Sequence, residues 1–257
     1  MPYIQSANAA PSYEKKIFET FDTDVIKNHE SYDSFHSDLV DDGRTKIVCE
    51  SGVLKVGANE IMGSGHYSIL SCKVPFEISL NDTYHFNLGM FEVESNWFGY
   101  GVGITYLNQS ESAPQDMFAS PTQRRGYYVE ILNHSQSLPD IQVYRFDTQG
   151  WSRIFQKLLD GASPTDLKNL SIQVTGNGMH QIVLRYMPWQ LKTLGRTEDT
   201  LIFTDGTWTN KNSRIEIWAH EAQSGPTIYC DTLSIWIERN QRFGDRLVPT
   251  LPHQKQR

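Results

Sequence analysis

Short segments in which apolar and polar residues alternate recur from Lys46 to Ile237, and clusters of Gly, Asn, Asp and Pro separate them. Val, Ile, Tyr, Phe and Trp are frequent in these segments, which is typical of strands with one buried face. About a dozen such strands in a chain of this length imply two packed sheets. The pattern therefore predicts an all-β fold, a two-sheet antiparallel β-sandwich of the jelly-roll kind.

Three parts of the chain depart from this pattern. The apolar spacing of Trp151–Leu159 fits a short helix or an excursion over the sandwich. Asp205-Gly206 lies between two apolar runs and predicts a β-hairpin, because Asp-Gly tolerates the positive φ angles of a two-residue turn. Residues 1–15 and 240–257 are polar and contain proline, so we expect tails or straps there. Residues 16–239 then form a single domain.

The composition is that of a globular domain with one large core. Of the 257 residues, 39% are hydrophobic and 21% are charged, which argues against disorder. The formal net charge of −7 argues against nucleic acid or an anionic membrane as a partner, because both require a basic surface. The sequence as written shows neither an export signal nor a run of 18 apolar residues. We therefore expect a cytoplasmic protein, or a secreted one if a signal peptide has been removed.

Cysteine and histidine spacing does not indicate a transition-metal site. Three cysteines without CxxC spacing predict free thiols rather than a disulfide framework or a zinc site; they are Cys49, Cys72 and Cys230. Calcium stays possible as a structural ion, because jelly-roll modules bind it through scattered carboxylates that leave no local motif. The first candidates for such a site are Asp22, Asp24 and Asp231. The sequence identifies no other cofactor.

The segment 126–132 combines an aromatic ring with a carboxylate on one face of a predicted strand. Alternation places Tyr128 and Glu130 on the face opposite to Val129 and Ile131, which we expect between the sheets. A ring that stacks on C–H faces beside an acid that accepts from hydroxyls suits a sugar or another polyol. An exposed face with nothing bound is the structural alternative.

The segment 214–220 repeats this combination. Glu216, Trp218 and His220 share one face, and Ile215 and Ile217 occupy the buried one. A Trp flanked by an acid and an imidazole indicates the lining of a cleft, with a Trp packed under a loop as the structural alternative. We predict that Trp218 is the largest single contributor to ligand binding and that its replacement by Ala leaves the fold intact.

Two further residues complete the predicted substrate-binding set. Thr105 continues the glycine-bearing face of the segment 99–106, whose bare surface would let a ligand, or a neighbouring aromatic ring, approach the backbone. Tyr144 belongs to the next predicted strand after the Tyr128 strand. Glu92 and Glu94 share a strand face as the acids of glycosidases do, but the spacing lacks the third acid of the E-x-D-x-E strand of family-16 glycoside hydrolases.

Several segments together resemble concanavalin A-like lectin/glucanase domains, and among them 3-keto-disaccharide hydrolase-like domains. Residues 50–56 are similar to an early "D-G-x-L" strand of that group, and residues 126–133 to its "G-Y-E-V-Q-I-L-D" strand. Residues 214–220 resemble its "G-x-I-x-L-Q-x-H" strand. The ending 228–235 is similar to the "V-x-F-D-N-V-x-I" segment shared with laminin G-like modules.

The resemblance implies a jelly roll that handles sugars, with differences at the polar positions. Tyr128 stands where the group has Glu and Trp218 where it has Gln, whereas Glu130 and His220 keep its character. We therefore expect a protein that binds or processes a glycan or glycoside. If it is an enzyme, His220 or Glu130 would supply the general acid or base. A cyclase or isomerase of an apolar metabolite and a non-catalytic interaction module are the alternatives, and the oligomeric state stays open.

Overall fold

The computed structural model describes thirteen ranges of the chain. These are residues 12–22, 32–36, 45–58, 66–74, 80–90, 92–94, 101–109, 125–132, 140–147, 150–162, 166–207, 213–221 and 227–239. The predicted tail 240–257 and most of the predicted tail 1–15 lie outside these ranges. The first strand begins at Ser12, so the end of the predicted N-terminal tail is paired in a sheet.

The described residues form seventeen strands. The first nine are β1 (Ser12–Glu19), β2 (Tyr32–His36), β3 (Thr45–Glu50), β4 (Val53–Ala58), β5 (His66–Val74), β6 (Thr83–Gly89), β7 (Glu92–Glu94), β8 (Gly101–Asn108) and β9 (Gly126–Leu132). The others are β10 (Asp140–Asp147), β11 (Gly150–Leu158), β12 (Leu167–Thr175), β13 (Met179–Tyr186), β14 (Glu198–Thr204), β15 (Ser213–Glu221), β16 (Thr227–Cys230) and β17 (Thr232–Arg239). A short 3-10 turn, Pro188–Gln190, and a four-residue helix α1, Leu191–Leu194, connect β13 to β14.

The strands form two large antiparallel sheets and one small sheet. The six-stranded sheet has the order β1-β17-β6-β12-β13-β14, and the seven-stranded sheet has the order β11-β10-β9-β8-β15-β5-β2. A four-stranded sheet, β3-β4-β16-β7, accompanies them. The predicted all-β sandwich is confirmed, and the small sheet is an addition to it.

The core lies between the two large sheets. Strand alternation is regular in the six-stranded sheet, where the buried residues of β6 and β12 alternate with half-buried ones. The seven-stranded sheet contributes Val129, Ile131, Ile215 and Ile217 to the same hydrophobic cluster. These are the four residues that alternation assigned to the core, so the predicted strand register is confirmed. None of the three cysteines is joined to another in a disulfide among the described residues.

Two local predictions were wrong. Residues 150–158 form the edge strand β11 rather than the expected short helix or excursion over the sandwich, and a register shift between Val143 and Tyr144 of β10 accommodates the strand. A bulge of this kind lets the strand change which side chains face the core, and so it blurs the alternation in the sequence. Asp205-Gly206 does not close a hairpin, because β14 lies in one large sheet and β15 in the other.

Asp205 instead joins the two sheets through a partly buried polar network, which we call the inner network. The Tyr127 hydroxyl donates to the Asp205 carboxylate at 2.9 Å, and Arg145 donates to its other oxygen at 2.7 Å. Burial opposes ionisation of Asp205, but bonds from Thr207, Arg145 and Tyr127 outweigh it and hold the pKa at about 2.

His180 extends the inner network into the six-stranded sheet. Its Nε2 lies 2.7 Å from the Asp205 carbonyl oxygen, and its Nδ1 lies 3.0 Å from the Tyr106 hydroxyl. A carbonyl can only accept, so Nε2 carries the proton and Nδ1 accepts from Tyr106. Burial lowers the pKa of His180 to about 4, so the ring is neutral at neutral pH. The inner network therefore links the two large sheets through hydrogen bonds.

Among the described residues, none of the helical segments has the length and apolar character needed to cross a bilayer.

Candidate functional site

The outward face of the seven-stranded sheet, which looks away from the six-stranded sheet, carries a second buried cluster. It consists of Ile69, Tyr128, Phe146 and Trp218, with Tyr144 packed against it. The Tyr128 ring meets the Trp218 ring edge to face, with centroids 6.2 Å apart and planes at 71°. Both rings lie on the face that alternation predicted.

Trp218 and Tyr128 are nevertheless closed to solvent, because each is 0% exposed. The expectation that they are open stacking rings therefore needs correction: in this structure they support the surface of the face rather than form it. Gly103 explains the packing of Tyr128. A Cβ atom on Gly103 would lie 2.0 Å from the Tyr128 ring, so the bare strand face accommodates the aromatic neighbour.

The rest of the predicted β15 set is also buried. Trp218 Nε1 donates to the Glu216 carboxylate at 3.2 Å, and Glu216 is fully buried. Thr105 pairs with Glu216 on one side and with Tyr128 on the other, and its hydroxyl finds no hydrogen-bond partner in the described ranges. Glu216 and Thr105 therefore lie under the face, beside the aromatic cluster.

The two predicted acid–base residues do not share one row of the sheet. Glu130 pairs with Gly103 and His220 pairs with Gly101, both on β8 between their strands. That register separates their backbones by about 10 Å across the sheet and about 7 Å along it. The position of the His220 side chain lies outside what the structure describes. Glu92–Glu94 forms β7 of the small sheet and is not a strand of the seven-stranded one.

Next to the aromatic cluster lies a polar group that we call the outer cluster: Glu130, Asp140, Gln142, Tyr144 and Arg153. Gln142 is buried at its centre, and its Nε2 donates to Asp140 at 2.9 Å. The Gln142 carbonyl oxygen accepts from Arg153 at 3.2 Å and from the Tyr144 hydroxyl. One amide thus orients a phenol and a guanidinium at the edge of the sheet.

Both carboxyl groups of the outer cluster lie in surroundings that are unfavourable for a carboxylate. Burial raises the pKa of Glu130 to about 7, the negative charge of Asp140 adds to the shift, and the Tyr128 hydroxyl opposes it. Burial and the charge of Glu130 also raise the pKa of Tyr144. Asp140 is 3% exposed, and its Oδ1 has no hydrogen-bond partner among the described residues. Buried carboxyl groups with a shifted pKa or without a hydrogen-bond partner are candidates for a functional site.

The exposed part of the site is a corner made by Tyr144 and Trp151. Their ring centroids are 4.8 Å apart and their planes meet at 64°. Trp151 is 48% exposed and Tyr144 is half-buried. Arg153 lies on the same face of β11, because it pairs with Tyr144 while Trp151 pairs with Phe146. The corner offers two apolar ring faces beside an oriented donor.

The sequence analysis missed four residues of this site: Asp140, Gln142, Trp151 and Arg153. Alternation along β10 would have placed Gln142 with Tyr144, since they are two residues apart. Trp151 and Arg153 carried no usable signal, because their segment was expected to be helical or irregular. Only the pairing of β11 with β10 brings them beside Tyr144.

The carboxylates fit a metal ion only in part. Within the described ranges no group of three or more His, Cys, Asp or Glu side chains could hold one. Of the predicted calcium ligands, Asp24 lies outside those ranges, Asp22 accepts from Thr20 at 2.6 Å, and Asp231 accepts from Thr232 at 3.1 Å. Glu130 and Asp140 are better suited to bind a metal ion, because the buried Asp140 Oδ1 has no hydrogen-bond partner among the described residues.

Comparison with known proteins finds similarity in structure but not in sequence. No protein-family model and no curated protein matches the chain. The legume lectin-like domain from Entamoeba histolytica aligns over 80% of this chain and 89% of its own, with a TM-score of 0.56 and 16% identity. The resemblance to 3-keto-disaccharide hydrolase-like domains therefore remains one of short sequence segments.

Two lectin structures align over more of the chain. The Bauhinia forficata lectin in complex with GalNAc covers 90% of this chain and 100% of its own, with a TM-score of 0.56 and 10% identity. The exoplasmic/lumenal domain of VIP36 in its Ca2+/Man3GlcNAc-bound form covers 91% of both chains, with a TM-score of 0.58 and 9% identity. At these identities the likeness establishes the architecture, and the chain has the legume-lectin-like, concanavalin A-type jelly-roll fold.

Proposed function

We propose that this protein binds glycans at the outward face of its seven-stranded sheet, with the Tyr144–Trp151 corner as the part that meets the sugar. The observation that carries the proposal is the juxtaposition of two partly exposed rings with the oriented Arg153 guanidinium. A sugar ring presents C–H faces and hydroxyls together, and this pairing of surfaces matches both.

The buried residues of the face give the corner its rigidity. Tyr144 packs on the aromatic cluster that contains Trp218 and Tyr128. Gln142 fixes the Tyr144 hydroxyl and Arg153 from below. A preorganised corner loses little conformational entropy when a ligand binds, which favours recognition of a weakly interacting ligand such as a sugar. Trp218, Glu216 and Thr105 thus contribute to binding indirectly.

The lectin structures that share this fold support the choice of ligand class. The Bauhinia forficata lectin is in complex with GalNAc, the winged bean acidic lectin, which has the same fold, with methyl-α-D-galactose, and the VIP36 domain with Man3GlcNAc. The charges of the outer cluster add a second argument, because the cluster contains one guanidinium, Arg153, and two carboxyl groups, of which Glu130 has a pKa of about 7. A near-neutral site of this kind suits an uncharged ligand better than a strongly anionic one.

A titration with those three sugars tests the proposal. We expect at least one to bind, and Trp151→Ala to weaken its binding at least tenfold, since a stacked aromatic ring contributes on the order of 2 kcal/mol. Trp189→Ala is the matched control, because Trp189 is an exposed Trp in the 3-10 turn beside the other sheet. Equal loss in both variants, or no binding of any of the three sugars and of a broad panel of immobilised glycans, would contradict the proposal.

We further propose that the Glu130–Asp140 pair holds a divalent cation, with calcium as the first candidate. The observation behind this proposal is the Asp140 Oδ1 atom, which is buried and has no hydrogen-bond partner among the described residues, in the cluster that also contains Glu130. Calcium prefers such oxygen ligands and completes its shell with water or carbonyls. Calcium should raise the melting temperature of the natural protein relative to EDTA, and this shift should vanish in Asp140→Asn. Asp22→Asn is the control and should keep the shift; a shift that persists in Asp140→Asn, or that is lost in Asp22→Asn, would contradict the proposal.

A further inference from the structure

Strand β14 (Glu198–Thr204) forms an edge of the six-stranded sheet, and its outer side has no neighbouring strand among those described. The order of the sheet ends at β14, which pairs with β13 alone. All seven residues of β14 follow the register of β13 without a bulge. Ile202, near the middle of the strand, is 59% exposed. A regular edge strand of this kind presents a row of unpaired backbone N–H and C=O groups.

Hydrogen bonds at both ends of β14 show which backbone groups remain unpaired. The Tyr186 N–H donates to the Thr197 carbonyl at 2.9 Å, and the Asp205 N–H donates to the Gly178 carbonyl at 2.8 Å. In an antiparallel pair, every second residue bonds to the partner strand and the residues between them point away from it. The odd-numbered residues of β14 therefore bond to β13. The even-numbered ones direct their N–H and C=O groups outward, and they are Glu198, Thr200, Ile202 and Thr204.

Within the described part of the chain, one hydrogen bond reaches these outward backbone groups. It comes from Lys157 of β11, whose Nζ donates to the Thr200 carbonyl at 3.5 Å and to the Asp199 carboxylate at 3.0 Å. The bond to the carbonyl is at the limit of hydrogen-bond distance, so Lys157 is held mainly by Asp199. The outward groups of Ile202 have no bond to any other described residue. The middle of the edge is therefore open to a hydrogen-bonding partner.

The other edges of the three described sheets are short or protected. Strands β2, β3 and β7 have 5, 6 and 3 residues. The pairings of β1 with β17 and of β11 with β10 each contain a register shift, and β1 and β11 each carry two basic residues. Short strands, bulges and lysines are features that keep a foreign strand from pairing with an edge. Strand β14, with the sequence EDTLIFT, has no bulge and no Lys, Arg or Pro.

Apolar side chains lie on both sides of the open edge. Ile202 projects from the side of the sheet that faces away from the core. Phe203 points the other way, where it stacks on His180 with ring centroids 4.6 Å apart and lies 5.7 Å from the Phe155 ring. At one end of the strand, the Glu198 side chain is 53% exposed. A strand added here would place alternate side chains beside Ile202 and beside the two phenylalanines, with one end near the Glu198 carboxylate.

We propose that β14 binds an extended peptide segment of a partner protein, which adds a seventh strand to the six-stranded sheet. A peptide in strand conformation repeats its N–H and C=O groups at the same spacing as the edge, so it can pair with all of the outward groups. The flanking side chains favour a segment in which β-branched and polar residues alternate, with a basic residue opposite Glu198. The Tyr144–Trp151 corner belongs to the other large sheet, so this site does not depend on glycan binding.

Amide hydrogen exchange of the full chain, followed by NMR, tests the open edge. The N–H groups of Thr200 and Ile202 should exchange at least about tenfold faster than those of Leu201 and Phe203, which bond to β13. The probe is a blocked octapeptide of alternating threonine and valine with lysine at one end. At about 1 mM, and with a dissociation constant of about 100 μM, the peptide should slow the exchange of Thr200 and Ile202 about tenfold. Slow exchange of these two amides in the free protein, or exchange that the peptide leaves unchanged, would overturn the proposal.

Two substitutions at one position separate backbone pairing from apolar adsorption. Ile202→Pro removes an outward N–H but no bond to β13, a change that an edge strand tolerates, and should weaken peptide binding at least about tenfold. Ile202→Thr keeps the N–H and the β-branched shape, and should weaken binding less than about threefold. Circular dichroism would check that both variants fold. Equal losses of affinity in the two folded variants would contradict strand addition.

A modified peptide tests the natural chain and so does not depend on the folding of a variant. The same octapeptide with a methyl group on each backbone nitrogen keeps its side chains but cannot donate to the edge, so it should not bind measurably. Equal binding of the two peptides would show apolar adsorption and overturn the proposal. Self-association of the natural chain in sedimentation velocity that Ile202→Pro removes would also overturn it, because a second copy would then occupy the edge.

Discussion

The inner network and the outer cluster both involve β9 and β10, but the inner network also reaches the six-stranded sheet, and the hydrogen bonds of the two are satisfied to different degrees. In the inner network both carboxylate oxygens of Asp205 and both ring nitrogens of His180 have partners, and the one buried atom without a hydrogen bond among the residues that the structure describes, Arg145 Nε, lies 3.6 Å from the Asp147 carboxylate. In the outer cluster Asp140 Oδ1 lacks a partner within the described ranges, and the pKa of Glu130 is raised. Satisfied groups hold a fold together, whereas strained ones persist where a ligand or ion completes them.

The two clusters therefore make opposite contributions to stability as pH changes. The folded pKa of His180, about 4, lies below its ordinary value of 6.5. The stability it contributes is present above pH 6.5 and is lost as the pH falls toward 4. The folded pKa of Glu130, about 7, lies above its ordinary value of 4.5. The stability it contributes is present below pH 4.5 and is lost as the pH rises toward 7.

The largest expected effect is on the free energy of unfolding, and it distinguishes the buried Trp218 from the exposed Trp151. Trp218→Ala should lower the free energy of unfolding by about 4 kcal/mol, because it leaves a large cavity beside Tyr128 and Ile69. Trp151→Ala should lower it by less than about 1 kcal/mol, because nearly half of that side chain is already in water. Urea denaturation measures both. A Trp218→Ala variant as stable as the natural protein would restore the sequence-based expectation that this ring is an open platform.

A smaller effect tests whether the inner network between the two large sheets contributes to the free energy of unfolding. Asp205→Ala removes an acceptor from Arg145 and one from Tyr127, and should destabilise the protein by about 3 kcal/mol at neutral pH. Asp147→Ala is the matched control, because Asp147 also pairs with Arg145, at 3.6 Å, but in a more exposed position. The control should lose less than about 1 kcal/mol. Similar losses in the two variants would show that Asp205 has no special role between the sheets.

The sequence predicted the faces of the strands but not what happens on the outward one. Alternation alone separated Val129 from Tyr128 and Ile217 from Trp218 correctly, because the period of a strand is two. Alternation could not show that the Trp218 side chain is closed to solvent, because it assigns a residue to a face of the sheet and does not show which side chains cover that face. Parity and exposure are independent quantities in a sheet of this width.

The exposed corner escaped the sequence analysis for a different reason. Trp151 and Arg153 belong to an edge strand whose apolar spacing also fits a short helix. Their contact with Tyr144 depends on the bulge between β10 and β11. Asp205 escaped for the same kind of reason, because its turn chemistry is local whereas its partners, Tyr127 and His180, lie far away in the sequence. Long-range pairing decided both sites.

The pH dependence of unfolding in Glu130→Gln tests the contrast between the two clusters most directly. Urea denaturation of the natural protein and the variant, both in EDTA, would be compared from pH 4.5 to pH 8. The variant cannot lose the Glu130 proton, so its stability relative to the natural protein should rise by between about 2 and 3 kcal/mol across that window. A stability difference that stays constant with pH would show that Glu130 is not strained and would contradict the account.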